Sequence, residues 1–256
     1  MVYMGSKNRL SKYLKPIIEG YLKSGMIYIE PFVGGANMID KIEWIGKYGY
    51  DLNKSIIALL KYGAYHAKLS YIHNREFKLP PEDISVEEFK RLRDLYKQGI
   101  ASPKIGFAGL MCQLGTFYSS YQNDKDKRDQ LRRNLEKQFS NPLFFNTQFE
   151  YKNYKDLKLQ SAVIYCDPPY PNTTQYNIKE KFDYDHFLSK CDEWYKDGNI
   201  VLLSGNFIPN RDWRVLFEKD YTYNMYNVVR EVKELLMIYE PKKHPNCWFW
   251  NHHRQH

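Results

Sequence analysis

Ile164-Tyr165-Cys166-Asp167-Pro168-Pro169-Tyr170 is the stretch whose reading decides the fold. Residues 162–164 are apolar and read as a buried strand, and Asp167 opens the loop at its carboxyl end. Pro168 and Pro169 fix φ and carry no N–H, so the carbonyls before them are left to face a ligand. A carboxylate, an outward carbonyl and the flat ring of Tyr170 suit a planar base that bears an amino group. The same residues also fit a strand that ends in a turn with a surface tyrosine. The flanking sequence decides between these.

Upstream, residues 26–29 read as a short apolar strand, followed by Glu30-Pro31-Phe32-Val33-Gly34-Gly35-Ala36-Asn37-Met38. A strand that opens into a small-residue loop and then a helix is the nucleotide-cofactor geometry of α/β sheets. Gly34 and Gly35 allow close backbone passage, and N–H groups at the helix start could meet a carboxylate or other polar group. The loop lacks the Gly-x-Gly-x-x-Gly spacing of a dinucleotide fingerprint and the Lys-Ser/Thr of a phosphate loop. Residues 44–50 read as a second strand ending at Asp51, which is placed to accept hydrogen bonds from ribose hydroxyls. Asp51 also suits the cap of a helix expected from Lys54 to about Leu69. Ahead of all this, Ser6 is a plausible N-cap for a helical pattern through Leu10, Leu14, Ile17 and Ile18. Lys7 fits an anionic group or solvent, and spacing alone favours solvent.

Residues 70–140 break the rhythm and read as a partly helical insertion that carries substrate recognition. Pro80-Pro81 is a rigid joint, and Ser85 starts a helix with Phe89, Leu92 and Leu95 at helical spacing, which Gly99 and Pro103 end. Residues 105–114 are apolar, and 115–121 read as a polar, aromatic and flexible loop. Residues 124–137 are charged with a small basic excess, which suits a solvated helical face or phosphate contacts. The sheet then resumes. Residues 143–146 read as a strand with Gln148 and Phe149 at its end, and residues 171–176 as a polar loop able to order over substrate. A helix carries His186, Phe187 and Trp194, with Phe182 included in its pattern. A strand follows over 200–204, and segments 221–230 and 234–239 suggest a closing antiparallel pair. The division expected is 1–69 for cofactor binding, 70–140 for the insertion, and 141–256 for the substrate pocket and closing strands.

Composition narrows the partner. The 256 residues hold 38 Lys and Arg against 30 Asp and Glu, a formal charge of +8 that favours a polyanion. Aromatic residues make up 16%, with 23 tyrosines, which is compatible with base stacking alongside ordinary packing. Cys112, Cys166, Cys191 and Cys247 form no Cys-x-x-Cys pair, so neither a zinc site nor a disulfide framework is suggested. With no apolar signal segment and no membrane-length apolar run, a reducing, cytoplasmic setting is the default expectation.

Taken together, Tyr3-Met4-Gly5-Ser6-Lys7, Glu30-Pro31-Phe32-Val33-Gly34-Gly35, Asp51-Leu52-Asn53 and Asp167-Pro168-Pro169-Tyr170 resemble the motifs of the Dam-type (D12 class) DNA adenine methyltransferases. The likeness runs from about residue 3 to about residue 240 and rests on the order and spacing of the set. It implies a doubly wound, mostly parallel α/β sheet of the class I S-adenosylmethionine-dependent methyltransferase type, with an inserted, largely helical target-recognition region. It implies S-adenosylmethionine as cofactor, no metal, and double-stranded DNA as partner, with no membrane and a monomer or weak dimer as the assembly. Tyr3, Lys7 and the loop of Phe32, Gly34 and Gly35 would line the methionine part of the cofactor. Asp51 would hold its ribose, and Gln148 with Phe149 its adenine. Asp167, also at the cofactor, and the Pro168 carbonyl would accept hydrogen bonds from the target amino group while Tyr170 stacks on the flipped base.

Two departures stand out. Gln148 replaces an acidic residue common in relatives, and Thr116 replaces a basic residue often found beside the glycine of the 115–121 loop. With Thr116 there the target sequence stays open, and GATC is a reasonable guess. Methylation of a cytosine amino group uses the same acceptors, and a catalytically silent DNA-binding module keeps the same fold. Asp rather than Asn at 167 argues against a protein-glutamine substrate.

Overall fold

β4 (Ala162–Cys166) is buried at all five positions and lies between two parallel neighbours, β1 (Ile27–Glu30) and β5 (Ile200–Gly205). A strand covered on both faces needs apolar residues on both, which explains its unbroken apolar run. Its alternate residues feed two cores. Val163 and Tyr165 join one with Tyr28 and Leu202, while Ala162, Ile164 and Cys166 join the other with Ile29, Val201 and Leu203.

The protein is represented by a computed structural model that describes residues 7–79, 83–112, 117–169, 182–225 and 228–241, and for 221–225 and 228–232 the backbone alone. The remaining strands are β2 (Lys47–Asp51), β3 (Gln148–Tyr151), β6 (Trp213–Met225) and β7 (Val228–Tyr239). The seven-stranded sheet has the order β3-β2-β1-β4-β5-β7-β6, with β7 antiparallel to both its neighbours and the rest parallel. The doubly wound, class I methyltransferase-type sheet is therefore the fold observed. Strand order reverses between β1 and β4, so the crevice outside their carboxyl ends is the expected ligand position.

Helices α1 (Ser11–Glu19) and α2 (Lys54–Ile72) cover one face, with α3 (Val86–Lys97), α4 (Pro103–Met111), α5 (Lys125–Phe139) and the short α6 (Pro142–Phe145) on the same side. Helix α7 (Tyr184–Lys196) covers the other through Phe187, Cys191 and Trp194. α4 packs closely on α2 because Gly106 has no side chain: a Cβ there would stand 2.1 Å from the Ser55 carbonyl oxygen.

Several expected elements take other forms. Residues 143–146 are not a strand, because Asn141 caps a helical turn from the Leu143 N–H at 3.0 Å and Pro142 supplies a preset φ. Phe144 then stacks on Phe139 at 4.7 Å, and β3 begins only at Gln148. No helix follows the glycine loop; residues 34–41 form successive turns, with Gly34 at φ 45° and Ala36 at φ 55°. Asn53, not Asp51, caps α2, its Oδ1 accepting from the N–H groups of Ser55 and Ile56. β2 starts at Lys47 rather than 44, α2 runs on to Ile72, and β6 begins at Trp213, well before 221. Phe117 and Tyr118, expected in an open loop, are buried, with Phe117 filling the space left by Gly109 and the Tyr118 hydroxyl donating to the Ile105 carbonyl at 2.8 Å. Among the described residues, no helix is long and apolar enough to cross a membrane.

Candidate active site

The parallel sheet delivers the ends of β1, β2 and β4 to one edge, and each carries a motif residue. Asp167 follows β4 directly, and its Oδ1 accepts from Lys7 Nζ at 2.7 Å. Lys7 is only 4% exposed, against the expectation of solvent, and Glu234 of β7 lies 3.5 Å from the same ammonium and is 1% exposed. Burial works against the lysine charge, but the Asp167 and Glu234 carboxylates outweigh it and hold its pKa above the ordinary range. Burial pushes the Asp167 carboxyl up, while Lys7 pulls it down. A cation between two carboxylates leaves one net negative charge when all three are ionised. Asp167 keeps 24% of its side chain exposed, so the crevice can reach it.

The floor beneath is tied down. Tyr165 and Ser204 share a hydroxyl hydrogen bond of 2.8 Å across β4 and β5. Glu30, at the end of β1, accepts from the Tyr28 hydroxyl at 2.8 Å. Burial first, with the Asp40 and Asp167 charges adding, drives the Glu30 pKa well above its ordinary value against the opposing Tyr28 bond and Lys47 charge.

Asp51 joins two loops. Its Oδ2 accepts from the Gly34 N–H at 2.9 Å and its Oδ1 from the Asn53 N–H at 2.8 Å. Burial raises its pKa, and backbone N–H groups of Asn53, Gly34 and Leu52 pull the other way. One carboxylate thus bends the glycine loop toward β2 and, with each oxygen able to accept more than one hydrogen bond, keeps acceptor capacity for a ligand. Tyr96 of α3 comes close to this corner, its hydroxyl 3.5 Å from Asn53 Nδ2.

The other candidates are distributed more widely. Phe32 is half-buried among Tyr154, Phe182 and Phe187, with ring centroids 5.1 to 5.7 Å away. Gly34, Gly35 and Pro168 are buried beside the strand ends. Gln148 pairs in register with Tyr48, while Tyr151 is the residue level with Asp51. Gln148 therefore stands at the amino end of β3, about 10 Å of strand from the crevice edge. Phe149 is buried against Phe144. The polar–aromatic pair at the carboxyl end of β3 is Asn153 and Tyr154, with Asn153 Oδ1 capping a short turn from the Lys155 N–H at 3.1 Å. Tyr3, Ser6, Thr116, Tyr170 and the loop 171–176 lie outside the described residues.

The sequence reading missed Glu234, Asn153 and Tyr184. Glu234 had a signal, since it opens an apolar run that a solvent-facing acid does not need to join. Tyr184 starts α7 in ring contact with Phe182 and Phe207, and its hydroxyl is held above its ordinary range by burial and then by the Asp167 charge. It brings an aromatic wall near the acceptor. Among the described residues, no group of three His, Cys, Asp or Glu side chains is placed to hold a metal ion.

No curated protein matches the chain. Among solved structures, the crystal structure of SMU.472 complexed with SAH is 10% identical at a TM-score of 0.34; the match covers 93% of this chain and 54% of that one. The chain thus spans about half the length of that protein, and a likeness at this level carries no functional argument. The family comparison is decisive. The model of the D12 class N6 adenine-specific DNA methyltransferases matches residues 3–238, and the chain belongs to that family.

Proposed function

We propose that the protein transfers a methyl group from S-adenosylmethionine to the exocyclic amino group of adenine in duplex DNA. The observation that carries this reading is Asp167, fixed by Lys7 at the end of β4, directly beside the β1 strand that leads into the glycine loop. The residues present fit the cofactor. Asp51 offers a carboxylate to ribose hydroxyls, and the Asp167–Lys7–Glu234 group supplies net negative charge suited to a sulfonium. Lys7, Phe32, Gly34 and Gly35 are the candidates for the methionine part, with Tyr3 from the family likeness. Position favours Asn153 and Tyr154 over Gln148 and Phe149 for the adenine.

When bound, the cofactor supplies an electrophilic methyl group. The protein's task is to make a poor nucleophile attack it. The lone pair of an exocyclic amine is delocalised into the ring. Asp167 and the Pro168 carbonyl, each accepting one amino hydrogen, favour a pyramidal nitrogen whose lone pair is available. The acceptors are fixed in advance by the Lys7 ion pair and by the proline backbone, so little reorganisation is needed. As positive charge develops on nitrogen, the Asp167 carboxylate faces it and accepts the proton that must leave. Tyr170, by family likeness, and the Phe182–Tyr184 wall provide ring faces for a base drawn out of the helix. The insertion from α3 to α5 reads the target, with GATC as the working site. The buried thiols Cys112, Cys166 and Cys191 suit a reducing compartment.

The test is methyl transfer from labelled cofactor to duplex DNA, followed by base-level mapping. Label on adenine that falls by about 100-fold or more in Asp167→Ala supports the reading. Label on cytosine would change the base, and label on protein alone would overturn it.

A further inference from the structure

The turns at residues 34–41 create a problem that the rest of the molecule solves. Residues 33–40 are all buried, yet no helix forms to pair their carbonyls. Buried carbonyls need donors from elsewhere. Lys47 Nζ donates to the carbonyls of Ile39 at 2.8 Å and Ile42 at 3.0 Å, and also to Leu143 at the start of α6. Asn141, between α5 and α6, donates to the Asp40 carbonyl at 2.9 Å.

Two carbonyls of Gly34-Gly35-Ala36 are served by a single side chain. Gln138, in the last turn of α5, donates from Nε2 to the Gly35 carbonyl at 3.0 Å and to the Ala36 carbonyl at 2.9 Å. It is 7% exposed. From the opposite side, Asp51 takes the Gly34 N–H at 2.9 Å. Three consecutive residues are thus held from both ends, by β2 through Asp51 and by the insertion through Gln138. They include Ala36 at φ 55°, a left-handed conformation that a residue with a Cβ adopts only when its surroundings enforce it.

We infer that Gln138 is a positioning residue for the cofactor loop, and that the last helix of the insertion is a working part of the cofactor site. Without its amide donor, the Gly35 and Ala36 carbonyls are left buried and unpaired. The loop then relaxes by turning its peptide planes, and the N–H and C=O groups offered to a ligand change with them. This inference rests on the proposed cofactor reading.

The experiment is calorimetric binding of S-adenosylmethionine to the full chain, without DNA and well below the melting temperature. Gln138→Met keeps the length of the side chain and removes both donors; its Kd should rise by about tenfold. Gln138→Glu places a carboxylate against two carbonyls, and only its protonated form restores a donor. Relative to wild type, its affinity should therefore be weakest near pH 8 and recover toward pH 5. A simple loss of packing would not follow pH in this way. Wild-type Kd in both variants, with only a lower Tm, would overturn the positioning role and leave the proposed function standing. Failure of the wild-type chain itself to bind would overturn both.

Discussion

Lys7 is the residue on which the site's charge depends. It counters two buried carboxylates, and removing it leaves Asp167 beside Glu234 with no cation between them. Because Lys7 pulls the Asp167 pKa down, Lys7→Met should raise it. In the proposed reaction Asp167 acts ionised, so the acid limb of the kcat profile should move to higher pH, which a pH series of single-turnover rates would show. Glu30 gives a second test, on stability. Burial raises its pKa in the folded state, so the folded protein binds more protons than the unfolded chain once pH passes the ordinary glutamate range. Stability from this group is therefore present at low pH and declines as pH rises. Glu30→Gln keeps an acceptor for Tyr28 and removes the titration. Its Tm relative to wild type should rise between pH 5 and pH 7, a window below the Lys47 pKa of about 8. At this scale the sequence was informative about chemical type and silent about burial. The placement of Asp167 and Asp51 at strand ends was legible because each comes at the end of the run of residues that forms its strand. Lys7 looked solvated because nothing local reveals a partner 160 positions away.

Among the elements, α2 and the helix seated on it govern how the insertion meets the sheet. Asn53→Ala removes the acceptor for two N–H groups at the start of α2 and should cost about 1 kcal/mol in denaturant unfolding. Gly106→Ala should cost more, about 3 kcal/mol, because the new methyl meets the backbone of Ser55 rather than a yielding side chain. The two changes separate the stability of α2 itself from the docking of α4. Most strands and helices were readable from periodicity, since buried parallel strands are continuous apolar runs and the amphipathic helices α3, α5 and α7 carry side-chain caps, as α1 does not. The failure at 143–146 is instructive. Two phenylalanines after a leucine suit a strand in isolation, but Asn141-Pro142 is a helix-start signal, and α5 offered Phe139 for stacking. The strand end expected near Gln148 is instead the start of β3. The helix expected after the glycine loop failed for a different reason: distant side chains, which no local pattern reveals, satisfy its turns.

For the molecule as a whole, the basic balance has a candidate face on α5. α5 exposes Lys125, Lys127, Arg133 and Lys137, whereas its Arg128 is buried and paired with Asp83 at 2.7 Å. If the exposed set meets phosphates, Arg133→Ala with Lys137→Ala should weaken duplex binding across sequences alike. The slope of log K against log salt should fall by about two, one for each contact, as read by anisotropy titrations. An unchanged slope would move the DNA face elsewhere. The doubly wound, mostly parallel class of sheet was legible once three strand-end motifs were placed in one sheet; the burial of Phe117 and Tyr118 was not, since they look like loop aromatics until Gly109 is seen to make room for them. α5 also has two faces with different duties, cations outward and Gln138 inward on the glycine loop. If the cations meet a duplex and Gln138 holds the cofactor loop, α5 couples the two equilibria, and by linkage any factor by which a duplex tightens cofactor binding is the factor by which cofactor tightens the duplex. Where that factor exceeds one, residence on DNA lengthens when the cofactor is plentiful, and the number of sites modified in one encounter follows the supply of methyl donor.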